Sequence, residues 1–151
     1  LTPEDNAYLH KRFFCPEPRL AFADLARNLM SSAIDVSDGL HADASHLAKT
    51  SAVRLRINLD QLPFSQSVLR LTSEAERVNA ALYGGDDYEL CFTAETAFRG
   101  QIDAVAASAG LRVTAIGEVE YGSGISLFDR GVAVPANHQR GFDHFSRVDP
   151  R

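Results

Sequence analysis

The order of apolar and polar positions predicts helices that alternate with strands first, and mostly strands afterwards. Apolar residues that recur three or four positions apart indicate amphipathic helices. Such stripes occur in four segments: 22–30, 40–48, 78–82 and 98–109. Strict alternation of apolar and polar residues indicates half-buried strands, and it occurs at 53–59 and 88–92. Further segments read as strands at 33–36, 112–120, 124–128 and 132–134. This succession predicts an α+β fold, a mixed β-sheet covered by helices.

Two helices carry sequence signals for their ends. Thr2 followed by Pro3 suits an N-cap and a first helical position. The prolines of the segment 15–18 end that helix, because proline disfavours helical geometry in the residue before it. Ser73 with Glu76 three residues later predicts a capping box. We therefore expect a helix and Pro-rich linker at 1–18, leading from an N-terminal domain into a main domain at 19–151.

Composition excludes several classes of protein. The chain has 151 residues, of which 45% are apolar and 23% charged, as in an ordinary globular domain. A net charge of -5 argues against a non-specific nucleic-acid or acidic-membrane surface. No apolar run approaches the roughly 18 residues of a membrane span. Two cysteines are too few for a disulfide framework and suit a reducing cytoplasm. The start at Leu1, without a signal-peptide pattern, predicts a piece of a longer protein.

The densest chemical signal is the segment 34–40, where a predicted strand meets a predicted helix. Helix N-termini attract phosphate, and the carboxylates Asp35 and Asp38 could hold Mg²⁺ together with substrate phosphates. Locally, an N-cap role for Ser37 or Asp38 explains the pattern as well. Asp35 lies in an apolar run, where burial of an unpaired carboxylate would be costly unless a cation lay nearby.

Two more segments combine acids or aromatic rings with glycine. In 84–90, two glycines allow a close backbone approach and Asp86 follows, although a helix C-cap and a turn explain them too. In 141–145, Phe142 could stack on a flat or cationic ligand, although a short edge strand is the simpler interpretation. The five histidines lack the spacing of a zinc pair, and Cys91 is expected to be a small core residue.

Together, in order and spacing, the three segments resemble the C-terminal half of the thiamine-monophosphate kinase family. The segment 14–19 is similar to the stretch that enters this half, so the resemblance spans about residues 12–146. The resemblance implies the C-terminal α+β domain of the aminoimidazole ribonucleotide synthetase-like superfamily. It also implies an N-terminal domain, absent from this chain, that carries most ATP and Mg²⁺ ligands and forms the homodimer.

The resemblance implies in-line transfer of the ATP γ-phosphoryl group to thiamine monophosphate, without a phosphoenzyme. By position, Asp35 and Asp38 resemble Mg²⁺ ligands and Ser37 resembles a nucleotide-phosphate contact. Asp86 and Phe142 resemble substrate contacts, although the family usually has Glu at the first position and often Tyr at the second. No catalytic residue is assigned within this chain, which we expect to fold without catalysing the reaction alone.

Other interpretations stay open. Asp43 and His46, near the start of a predicted helix, are expected to be structural. A non-catalytic domain that binds a partner or small ligand is possible, because one fold hosts many functions. A related ATP-dependent enzyme with another phosphoryl acceptor is the third interpretation. The segments 84–90 and 141–145 argue against it, because they resemble the thiamine branch.

Overall fold

The computed structural model of the chain describes residues 1–135. Six α-helices occur within this range: α1 Pro3–Phe14, α2 Leu20–Ala26, α3 Leu40–Ser51, α4 Gln66–Leu71, α5 Glu74–Tyr83 and α6 Arg99–Ser108. Six strands occur there too: β1 Ser32–Val36, β2 Arg54–Asn58, β3 Glu89–Thr93, β4 Gly117–Glu120, β5 Gly124–Asp129 and β6 Val132–Val134. None of the helices in this range is both long and apolar enough to cross a membrane.

The strands divide between two sheets. The larger has the order β4-β2-β5-β6, and it is mixed, as predicted, because β2 pairs with β5 in parallel and the other neighbours are antiparallel. The smaller sheet consists of β1 and β3, which run antiparallel from the pair Ser32 and Thr93 to the pair Val36 and Glu89. The succession of elements does not predict this second sheet.

The main core lies between the large sheet and the helices α3 and α5. The sheet contributes Leu55, Ile57 and Leu127, which are at most 7% exposed. Leu47 of α3 and Leu82 of α5 pack into the same cluster. Burial of such side chains is the main favourable contribution to folding, and α3 is central because it contacts β1, β2, β5 and α5.

A second apolar cluster lies between α2 and α6. Phe22 and Ala26 of α2 pack with Ile102 and Ala106 of α6. Strand β3 lies between the two clusters, since its alternate residues face opposite sides: Leu90 and Phe92 join the second cluster, whereas Cys91 packs against the main core. The small sheet therefore joins the two halves of the core.

The predicted helix ends are confirmed, and three local predictions need correction. Thr2 accepts a hydrogen bond from the amide of Asp5, and the capping box of Ser73 and Glu76 is complete. The second helix is shorter than predicted, because 3₁₀ geometry takes over at Arg27–Leu29. The short helix α4, capped by Ser65, lies where no helix is predicted. The strand predicted at 112–120 begins only at Gly117.

Helix α1 is attached to the rest of the chain through a buried carboxylate. Asp5, only 3% exposed, accepts hydrogen bonds from the hydroxyl of Ser67 at 2.6 Å and from the guanidinium of Arg70, both on α4. The hydroxyl of Thr2 donates to its other oxygen at 3.0 Å. The bond from Ser67, followed by that from Arg70, lowers the pKa of Asp5 well below its usual value, although desolvation acts in the opposite direction.

Candidate functional site

The candidate site begins on β1, whose side chains alternate between the core and the surface. Val36 is buried and Ile34 packs against the main core, whereas Asp35 between them is exposed. The expected cost of burying the Asp35 carboxylate therefore does not arise, because a period of two places it on the outer side. The chain can therefore fold without a cation at Asp35, whose carboxylate is accessible from solvent.

Asp43 holds the loop that follows β1. Its carboxylate oxygen Oδ2 accepts the backbone N–H of Ser37 at 2.9 Å and that of Asp38 at 3.0 Å. Asp43 is 4% exposed, so it is structural, as predicted. The N-cap of α3 is Gly39, with no side-chain cap, and the local alternative of an N-cap at Ser37 or Asp38 is therefore wrong.

The second acidic loop, residues 84–88, lies directly against the first. The amide of Asp86 donates to the carbonyl of Ser37 at 2.9 Å, and the amide of Tyr88 donates to the carbonyl of Val36 at 2.8 Å. A Cβ at Gly85 would lie 2.4 Å from the Ser37 carbonyl oxygen, which no side chain could tolerate. Glycine is therefore needed here for the close approach of two backbones.

The arrangement brings most of the predicted site residues to one end of the small sheet. Ser37, Asp38 and Asp86 lie on the two joined loops, and Asp35 lies on the adjoining strand β1. Asp86 is exposed and has a left-handed φ of 65°. Phe142, the fifth predicted site residue, lies outside the described residues.

The side chains of Asp35 and Asp38 are unused by the fold. Within residues 1–135 neither carboxylate has a hydrogen bond or ion pair, whereas Asp86 accepts one long bond, 3.4 Å, from the Tyr88 hydroxyl. Desolvation raises the pKa of the neighbouring Asp87, and Arg12 acts against the shift. The carboxylates of Asp35 and Asp38, unpartnered within these residues, are available to a ligand.

The donor set fits Mg²⁺ in part. Mg²⁺ in phosphate-transfer sites commonly takes one or two carboxylates and completes its shell with waters and phosphate oxygens. Asp35 and Asp38 could supply such carboxylates. Within the described part of the chain, no group of three or more His, Cys, Asp or Glu side chains is placed to enclose a metal. A metal here would therefore need ligands from phosphate or from outside these residues.

Glu89 is a functional candidate that the sequence analysis does not single out. Its carboxylate accepts hydrogen bonds from Arg12 Nη2 at 2.6 Å and from Arg19 Nε and Nη2 at 2.9 and 2.7 Å. It ties the region before α2 to the start of β3. Only the fold shows this contact, because the partners are 70 and 77 residues apart.

One cysteine and two histidines belong to the elements around the site, and the cysteine is unsuited to nucleophilic chemistry. Burial raises the pKa of the Cys91 thiol to about 11, which keeps it protonated and supports its predicted role as a core residue. Partial burial lowers the pKa of His41, whose ring lies 5.6 Å from that of Tyr83. His46 is exposed on α3.

Curated relatives show which proteins this chain is similar to. The chain is 36% identical over 143 residues to a thiamine-monophosphate kinase of Salmonella typhimurium, which covers 94% of this chain and 44% of the relative. It is 38% identical over 144 residues to that of Escherichia coli K12, covering 95% of this chain and 44% of the relative. The chain is a homologue of part of the thiamine-monophosphate kinases. It spans less than half the length of these kinases, and no protein-family model matches it.

Solved structures support the same relationship. The thiamine-monophosphate kinase of Stenotrophomonas maltophilia matches 89% of this chain and 42% of its own, with a TM-score of 0.81 and 36% identity. AaThiL complexed with AMPPCP and TMP matches 96% of this chain and 43% of its own, with a TM-score of 0.72 and 31% identity. These neighbours have the aminoimidazole ribonucleotide synthetase-like fold, which confirms the predicted fold class of this kinase homologue.

Proposed function

We propose that this chain is the C-terminal part of a kinase that transfers the γ-phosphoryl group of ATP to thiamine monophosphate, giving thiamine diphosphate. The observation that carries the proposal is the direct backbone pairing of the two acidic loops, with Asp38 and Asp86 on adjacent segments. AaThiL, a structural neighbour, was solved with AMPPCP, an analogue of ATP, and with TMP. One loop would face the nucleotide and the other the acceptor.

In this proposal Asp35 and Asp38 hold Mg²⁺, which when bound neutralises phosphate charge. Ser37 is half-buried and its backbone N–H is already held by Asp43. Its backbone therefore starts from a fixed position, from which the hydroxyl would reach a nucleotide phosphate. A donor on a fixed backbone loses less freedom on binding, and phosphoryl transfer depends mainly on such positioning and on electrostatic stabilisation.

Asp86 and Phe142 are proposed to contact thiamine monophosphate. The thiazolium ring of thiamine carries a positive charge, which a carboxylate such as Asp86 and the face of a ring such as Phe142 both attract. No activated nucleophile is required, because the acceptor phosphate attacks the γ-phosphorus directly. The chain accordingly needs acids and close positioning rather than a reactive Ser, Cys or His.

The remaining ligands are proposed to come from the portion of the kinase that this chain does not cover. We propose that residues 1–18 lead from that N-terminal domain into the domain at 19–151, and that the complete protein is a cytoplasmic homodimer. Both cysteines are free, with Cys15 exposed. An exposed thiol is stable in a reducing compartment.

The test uses the protein expressed from its complete reading frame, supplied with Mg–ATP and thiamine monophosphate. Thiamine diphosphate is measured by fluorescence after oxidation to its thiochrome form. Product above a no-enzyme control supports the proposal, and residues 1–151 alone are expected to give none. A folded protein that binds ATP and yields no product would contradict it. Another phosphoryl acceptor or a non-catalytic role would then follow.

A further inference from the structure

Glu89 occupies the junction between the second acidic loop and β3. It is the first residue of β3 and follows Tyr88 directly. Arg19 donates two parallel hydrogen bonds to its carboxylate, and Arg12 donates a third. Two-point Arg–carboxylate contacts fix geometry as well as charge. Glu89 is thus held from two elements, the end of α1 and the residue before α2.

These contacts are better shielded than an ordinary surface ion pair. The side chains of Arg19 and Arg12 are 18% and 27% exposed, and that of Glu89 is 44% exposed. Partial burial raises the pKa of Glu89, but Arg19 and Arg12 together outweigh it and hold the pKa below its usual value. The carboxylate is therefore ionised at neutral pH, so the contacts persist there.

The loop beside Glu89 needs support. Asp86 and Tyr88 both have left-handed backbone conformations, with φ of 65° and 51°. Non-glycine residues stay in this region only when surrounding contacts hold them there. On one side the carbonyls of Val36 and Ser37 accept the two amides. The residue directly after Tyr88 is Glu89, whose carboxylate is held by Arg12 and Arg19.

We propose that Glu89 is a positioning residue, which through Arg12 and Arg19 fixes the loop so that Asp86 meets the phosphoryl acceptor. This role rests on the proposed function for its substrate, thiamine monophosphate. Glu89 does not itself touch the substrate. It also links α1 to the start of β3, next to the loop that carries Asp86.

The first experiment compares steady-state kinetics of Glu89→Gln with wild type in the complete protein. Glutamine keeps the shape but loses the charge and one acceptor oxygen. We expect KM for thiamine monophosphate to rise about tenfold, below the roughly 100-fold effect of a 1 Å misplacement. We expect kcat and KM for ATP to stay within about twofold, because the loop contributes to acceptor binding in both ground and transition states.

Two further variants sharpen the comparison. Arg19→Lys keeps the positive charge but loses the two-point contact, and it should raise the same KM by a smaller factor. Glu17→Gln is the matched control, because Glu17 contacts Lys11 at 2.5 Å and Arg19 at 3.8 Å without touching Glu89. It should leave all constants within about twofold of wild type, as is usual for exposed ion pairs.

Hydrogen exchange provides a readout that does not depend on activity. In Glu89→Gln, or in Arg19→Lys if the first variant does not fold, the amides of Asp86 and Tyr88 should exchange faster. The amide of Leu47, inside α3, should not change. Unchanged exchange at the amides of Asp86 and Tyr88 overturns the positioning role. A loss of kcat of about tenfold, with both KM values unchanged, also overturns it. If wild type makes no thiamine diphosphate, the proposed function fails while the exchange result still decides the role of Glu89.

Discussion

The acidic side chains of this chain divide into two contrasting groups. Asp5 and Asp43 are 3% and 4% exposed, and each accepts hydrogen bonds from groups that fix the chain. Asp35, Asp38 and Asp86 lie nearer the surface, and within residues 1–135 the first two have no partner at all. All five residues are aspartates, so residue type does not distinguish them. Only the fold shows which carboxylates accept hydrogen bonds within the chain and which are available to a ligand.

The buried and the accessible aspartates are expected to affect different properties, the first the stability of the fold and the second the binding of a ligand. A buried carboxylate that accepts several hydrogen bonds stabilises the fold and is barely accessible to a ligand. An exposed carboxylate without partners contributes little to folding, so a ligand can use it without disturbing the chain. Substitutions in the first group should therefore lower stability first, and substitutions in the second group should lower activity first.

The largest expected effect is that of Asp38→Asn in the complete protein. Loss of the charge that is proposed to hold Mg²⁺ should lower kcat on the order of 100-fold at fixed Mg²⁺. The free energy of unfolding should change by less than about 0.5 kcal/mol, because the side chain has no partner to lose. Turnover assays and urea unfolding measure the two quantities. Asp24→Asn, on the exposed side of α2, is the matched control, and wild-type turnover in Asp38→Asn would remove the metal assignment.

Asp43→Ala should give the opposite result, with stability affected most. It leaves the amides of Ser37 and Asp38 without their acceptor, which should destabilise the chain by about 2–4 kcal/mol. Urea unfolding followed by circular dichroism measures the change. Asp43→Asn keeps one acceptor oxygen and should cost less. A stability loss no larger than that of Asp24→Asn would show that Asp43 does not hold the loop.

Asp5 should give a pH-dependent difference in stability. Its pKa in the folded chain lies below the ordinary value of 3.8, so the ionised form stabilises the fold above that value and the contribution is lost as pH falls through the folded pKa. The difference in urea midpoint between wild type and Asp5→Asn should be constant above about pH 5 and shrink on acidification. A difference that grows as pH falls would contradict the lowered pKa.

The smallest expected effect is that of Asp86→Glu. The variant adds one methylene and supplies the residue that the resemblance implies at this position. Because Asp86 is exposed, the loop should accept the longer side chain, and KM for thiamine monophosphate should change by no more than about threefold. Asp86→Ala is the comparison, with an expected rise of about tenfold. Equal KM values for wild type and Asp86→Ala would exclude Asp86 from acceptor binding.

Local signals in the sequence were sufficient to predict much of the fold. Thr2, Ser73 and Glu76 cap helices through contacts within three residues, so their chemistry is visible in the sequence itself. The alternation at 53–59 likewise predicts β2, because the large sheet has one face on the core. The order of the acidic motifs also indicates the resemblance to thiamine-monophosphate kinases, to part of which the chain is homologous, and the structure brings the first two motifs together.

Contacts between distant residues account for the rest. The apolar run at β1 predicts a buried strand, but only Ile34 and Val36 face the core, whereas Asp35 faces outwards. The pairing of β1 with β3 as a separate sheet depends on two apolar clusters that lie on opposite sides of β3. The partners of Glu89 come from 70 or more residues away, and no spacing rule reveals them.

The pairing of the two loops also has a consequence for the order of folding. Strand β1 meets β3 across a chain separation of more than 50 residues, from Val36 to Glu89. Closing so long a loop is entropically unfavourable until other contacts hold its ends near each other. The acidic site therefore cannot form from either loop alone. A nascent chain that has not yet emerged as far as β3 has the aspartates of the first loop but no site.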